Sequence, residues 1–83
     1  MSKKEYFYDL VKIGAAVGYD GDITMSRWDD PEWQKVMQEM YDSVADFLPE
    51  TYEELDQDVE RRDQWITLFS DLADAYYCFE KEC

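Results

Sequence analysis

Carboxylates are the residues with chemistry to offer in this chain. Nine acids run from Glu39 to Glu60 with no Lys or Arg among them: Glu39, Asp42, Asp46, Glu50, Glu53, Glu54, Asp56, Asp58 and Glu60. Extending the window back to Asp20 gives fourteen acids against only Arg27 and Lys35. Such a run can do three things. It can imitate a phosphate backbone, bind a hard cation, or carry out acid–base work. Duplex DNA presents one negative charge per roughly 1.7 Å of axis. A rigid strip of carboxylates can reproduce that field for a protein built to grip phosphates. Glu39, Asp42 and Asp46 stand at i, i+3 and i+7, which places them on one face of a helix, about 5–6 Å apart. Like charges at that spacing cost up to a few tenths of a kcal/mol per pair. The alternative to a functional strip is a solvated acidic face that serves solubility.

The other two chemistries have less behind them. Asp20-Gly21-Asp22-Ile23-Thr24 begins like a calcium loop, but its sixth position is Met25 and its twelfth is Pro31, where that loop needs Gly and Glu. Loose calcium or magnesium contacts at Asp20, Asp22, Asp29 and Asp30 are the most this segment offers. The chain has no His, so it lacks both the usual zinc donor and the usual base near neutral pH. There is no Gly-rich phosphate loop. Cys78 sits among Tyr76, Tyr77 and Phe79 with no nearby cation in sequence to lower its pKa, and reads as core filling. No catalytic residue, cofactor or metal is expected.

With 83 residues and a formal net charge of −13, the chain makes one domain, residues 1–83. A small domain is comfortable at a charge magnitude of roughly 2–8, so the excess repels itself and disfavours direct contact with nucleic acid or anionic lipid. The chain is 46% hydrophobic and 17% aromatic, which separates it from a disordered acidic tail. Cys78 and Cys83, five apart near a helix end, do not face each other and point to a reducing compartment. With no leader pattern and no long apolar run, a cytoplasmic location is expected.

Helices must position these groups. Ser2-Lys3-Lys4-Glu5 is a capping box, followed by apolar residues at Tyr6, Leu10, Ile13 and Val17, with Phe7 and Val11 widening the stripe and Gly18 as the stop. Gly14-Ala15-Ala16 reads as a close helix–helix contact. Tyr19-Asp20-Gly21-Asp22 is turn chemistry. A second helix opens on Asp30 with Pro31 at its first position. It carries Trp33, Val36, Met37, Met40, Val44, Phe47 and Leu48 on one face until Pro49. Thr51-Tyr52-Glu53-Glu54 caps a third segment, in which Tyr52, Leu55 and Val59 share a face. After a polar waist the stripe resumes at Trp65, Ile66, Phe69, Leu72, Ala73, Tyr76 and Phe79. A short helix followed by a longer one from about residue 58 suits a small domain better than one 30-residue rod. The fold class is all-α, a three- or four-helix bundle with no sheet beyond one short hairpin near 19–28. Arg61-Arg62 is expected to pair with Asp58, Glu60, Asp63 or the acidic corner. Tyr8, Trp28, Tyr41 and Tyr77 fall off or beside the stripes. They are either extra core or partner anchors, since Trp and Tyr dominate interface hot spots.

Three resemblances bear on function. Asp42-Ser43-Val44 resembles the Asp-Ser-Leu site of acyl carrier proteins, which would imply phosphopantetheine on Ser43, although that family's Ser opens its helix and Ser43 falls within one. Asp74-Ala75-Tyr76-Tyr77 is similar to the paired-tyrosine motif of colicin immunity proteins, without the Pro that follows it there. Size, charge and helicity together resemble a class of small acidic phage and mobile-element proteins that block restriction or CRISPR enzymes. That resemblance implies a stoichiometric inhibitor, a DNA mimic evading host defence, that binds a basic nucleic-acid-binding protein as a monomer or dimer. The nine acids would supply charge complementarity, and Tyr41 and Trp28 the short-range anchors. The competing expectations are a non-enzymatic adaptor docking through exposed aromatics and a carrier modified on Ser43.

Overall fold

The computed structural model describes residues 2–82, as four helices: α1 (Lys3–Gly18), α2 (Pro31–Val44), α3 (Tyr52–Asp56) and α4 (Arg62–Lys81). No strand occurs among the described residues, and the 19–28 segment is a series of turns. Three helix starts follow from their caps. The Ser2 hydroxyl accepts the Glu5 N–H at 3.2 Å. The Asp30 carboxylate accepts the Glu32 N–H at 2.9 Å, with Pro31 behind it. The Thr51 hydroxyl accepts the Glu54 N–H at 3.2 Å. Each removes one of the four N–H groups a helix start leaves unpaired.

α1 packs most extensively on α4, and α2 lies against both. The buried residues of α1 are Tyr6, Phe7, Val11 and Ala15. Tyr6, Phe7 and Val11 fall inside as the stripe predicts, Ala15 extends the Phe7–Val11 row, and Leu10 is only partly buried. Ile13 and Val17 face solvent. The small side chain at Ala15 lets the backbone close on its neighbours, and a branched residue cannot do that. The expected contact at Gly14-Ala15-Ala16 is present: a methyl group at Gly14 would lie 3.8 Å from the Ala73 Cβ of α4.

An aromatic cluster fills the space between α2 and α4. Trp33 meets Tyr76 edge-on at 5.2 Å and stacks on Phe79 at 5.7 Å between ring centroids. Trp28 meets Tyr76 edge-on at 5.3 Å. The Trp33 indole N–H is buried without an acceptor. α2 stops at Val44, short of Pro49. Pro49 cannot donate to the carbonyl of residue 45, and its ring would clash there if the helix continued. Phe47 and Leu48 therefore fall in a turn closed on the Val44 carbonyl. Leu48 reaches the core, while Val36 and Phe47 remain largely exposed.

The loop from Tyr19 to Asp30 is tied to the far end of α4. Arg27 donates to the Phe79 carbonyl at 3.0 Å and to Asp30 at 3.3 Å. Its guanidinium also lies 4.1 Å from the Phe79 ring centroid. A cation at a helix C-terminus is where the macrodipole favours one. Glu80 accepts the Thr24 N–H at 3.0 Å and the Tyr76 hydroxyl at 2.9 Å. Gly21 takes φ +86° in the turn, a conformation that glycine adopts without steric cost.

Candidate functional site

The acidic run divides into residues free to face a partner and residues committed to the fold. Glu39 and Asp42 lie on the outer face of α2, opposite Trp33 and Met37, and both are exposed. Asp46 is exposed too, but it falls in the turn after α2 rather than on the helix, so the expected three-residue ladder is interrupted at its third rung. Glu50 forms an exposed ion pair with Lys3 at 3.6 Å, and Glu54 accepts the Glu50 N–H at 3.3 Å. Glu53 stands in the first turn of α3, Asp56 at its end and Glu60 in the following loop, all three exposed. Asp58 is half-buried and turned inward. It accepts the Trp65 indole N–H at 3.2 Å and the Arg61 backbone N–H at 3.3 Å. It therefore belongs to the start of α4, which has no side-chain cap of its own.

Ion pairing among the described residues is sparse: Lys3–Glu50, Arg27–Asp30 and Arg27–Glu82. Arg61 and Arg62 enter none of them, contrary to the sequence expectation. Among the described residues, Glu50 alone of the nine acids has a cation within ion-pair distance. The result is a broad negative surface running over α2, the corner and α3, compensated among the described residues only by Lys3 at Glu50.

The proposed anchors separate. Trp28 is 8% exposed and packs against Trp33 and Tyr76, so it offers a partner almost nothing. It sits in a turn, where no periodicity could reveal its burial. Tyr41 is half-buried with its ring edge-on to Phe7 at 5.5 Å. Tyr8 is half-buried, its hydroxyl donating weakly to Gln38 at 3.4 Å. Tyr77 stacks on Tyr19 at 4.2 Å, and the Tyr19 hydroxyl donates to Asp74. That bond pushes the Tyr19 phenol up to about 12. Burial, with Tyr41, Glu50 and Glu54 nearby, does the same for Tyr6, whose hydroxyl donates to the Pro49 carbonyl. Tyr76 also rises to about 12, through burial and its bond to Glu80.

Cys78 is exposed, which corrects its reading as core filling: on α4 it falls between the buried Tyr76 and the half-buried Phe79 but points outward. Cys83 lies outside the described residues. The Ser43 hydroxyl donates to the Met40 carbonyl at 2.7 Å, at the end of α2 rather than at a helix start. Among the described residues no three His, Cys, Asp or Glu side chains converge to hold a metal ion, and no helix is long and apolar enough to cross a membrane.

Sequence reasoning missed a second surface. A groove of about 420 Å³ lies between α1 and α4, lined by Leu10, Gly14, Phe69 and Ala73 and closed at one end by Tyr19 and Asp74. It continues towards α3 past Ile66, Leu55 and Tyr52. The signal was present in the stripe that placed Ile13 and Val17 beside Leu10, but that stripe was read as core. Comparison of the chain with protein-family models, curated proteins and solved structures finds no match.

Proposed function

We propose that this chain is a stoichiometric antagonist of a basic nucleic-acid-binding protein, such as a nuclease or effector complex of the restriction or CRISPR type, and that it acts in the cytoplasm. The observation that carries the reading is the sparsely compensated acidic surface: eight exposed carboxylates between Glu39 and Glu60, of which, among the described residues, only Glu50 meets a cation. Left unpaired, these charges burden a small fold with repulsion. They also give it the long-range field that steers a cationic groove onto it. Catalysis plays no part in this reading. The protein acts by occupying a surface.

The test separates the exposed acids from those the fold uses. Glu39→Gln, Asp42→Asn, Asp46→Asn, Glu53→Gln and Glu60→Gln together remove five charges and leave Asp58 and Glu54 in place. Immobilised wild-type chain, exposed to a bacterial lysate, should retain basic nucleic-acid-binding proteins identified by mass spectrometry. Both salt and added duplex DNA should elute them. The five-fold variant should fold normally and retain them more than tenfold less well. Equal retention with unchanged salt dependence would assign the charge to solubility and end the proposal.

A further inference from the structure

The groove between α1 and α4 is an open layer in a bundle. Phe7 and Tyr8 meet α2 through Tyr41 and Gln38. At 100° per residue, Leu10, Ile13 and Val17 lie on the other flank of α1. On α4, Phe79 packs against Trp33 of α2, whereas Ile66, Ser70 and Ala73 line the groove. So α2 covers one side of the α1–α4 pair, α3 shields one end of the other side, and the remainder is bare. Ile13 is 58% exposed, Val17 74% and Ile66 56%. The floor is formed by Gly14 and Ala73, whose small size makes the surface concave.

The charged groups around it select the occupant. Asp9, Asp56 and Asp74 border the groove, against Arg62 alone. A second copy of the chain would bring the same acids against themselves, on molecules of formal charge −13 each. An anionic membrane is repelled for the same reason. We infer that the α1–α4 groove receives an amphipathic helix from a partner protein, with apolar residues at i, i+3, i+4 and i+7 inserted between Ile13 and Ile66 and Lys or Arg along its flanks. This is the helix-in-groove mode of recognition. It is distinct from the exposed acids on the outer face of α2, although Asp56 at the end of α3 belongs to the acidic run and also borders the groove.

The probe is a synthetic amphipathic helical peptide of about four turns, built from Leu at that spacing with Lys elsewhere. A scrambled peptide of the same composition is the control. Fluorescence anisotropy at about 300 mM salt, where the Debye length is well under 10 Å, minimises nonspecific charge attraction. The ordered peptide should bind at least tenfold more tightly than the scrambled one. Ile13→Gln with Ile66→Gln should abolish that preference, while the five-fold variant of the acidic face should keep it. Amide chemical-shift mapping on the wild-type chain provides a readout that does not depend on how the variant folds, and the shifts should centre on Leu10–Val17 and Ile66–Ala73. Equal binding of the two peptides, shifts centred on α2, or a wild-type dimer that the two substitutions dissociate would each overturn the inference, the last in favour of a second copy as occupant.

Discussion

Asp58 shows how one carboxylate in an acidic run differs from its neighbours. Its two oxygens accept from the Trp65 indole and the Arg61 amide, and Trp65 is buried. Removing the acceptor strands a buried donor, which costs about 1–3 kcal/mol. Asp58→Ala should therefore lower the free energy of unfolding, measured by urea denaturation, by that amount. Asp42→Ala, on the exposed face of α2, should stay within about 0.5 kcal/mol of wild type, as surface substitutions do. Equal effects would mean that Asp58 is one more surface charge. Nothing in the order of residues distinguishes the two acids, because the partner of Asp58 lies seven positions away across a helix start.

At the scale of elements, Arg27 joins the loop before α2 to the end of α4. A guanidinium can bond the Phe79 carbonyl, pair with Asp30 and lie over the Phe79 ring at once, and an ammonium cannot present that planar fork. Arg27→Ala should cost about 1–3 kcal/mol, and Arg27→Lys should recover less than half of it, measured by chemical denaturation. Full recovery with Lys would show that charge alone acts there. The elements themselves were legible because their signals are local: Ser2, Asp30 and Thr51 cap where their types and spacing say they should, and a short helix is followed by a longer one. The break falls at residues 57–61, however, so Val59 lies in it, exposed, rather than on the face of α3, and Arg62, Asp63 and Gln64 of the polar waist form the first turn of α4. The faces were less legible. In α1 two apolar rows overlap, and choosing between them needs the knowledge that α4 approaches at Ala15 and Gly14. Trp28 has no helical row to belong to, so its burial is decided by Trp33 and Tyr76, which are distant in sequence. The acidic run could be read residue by residue, whereas the groove exists only once α1 and α4 are side by side.

Across the whole molecule, three tyrosines set a limit to alkaline stability. Tyr6, Tyr19 and Tyr76 titrate at about 12, above the ordinary value of about 10. The fold thus favours the neutral phenols. The stability this represents is complete below about pH 10, where both states keep their protons. It is lost as pH rises towards 12, because the unfolded chain ionises first. Unfolding followed by circular dichroism should fall in that window together with the tyrosinate absorbance. Tyr76→Phe should be less stable at about pH 8 yet show a shallower dependence on pH. Unfolding complete below pH 10 would contradict this. The pairing of α1 with α4 has a further consequence during synthesis. At roughly 5–20 residues per second, α1 emerges several seconds before the helix it packs against. Until then Phe7 lacks its Phe69 contact, and exposed apolar surface of that kind is aggregation-prone. The acids that follow from Asp20 to Glu60 are translated within this delay, so the emerging segment carries a strong net negative charge before the last helix arrives to close the core.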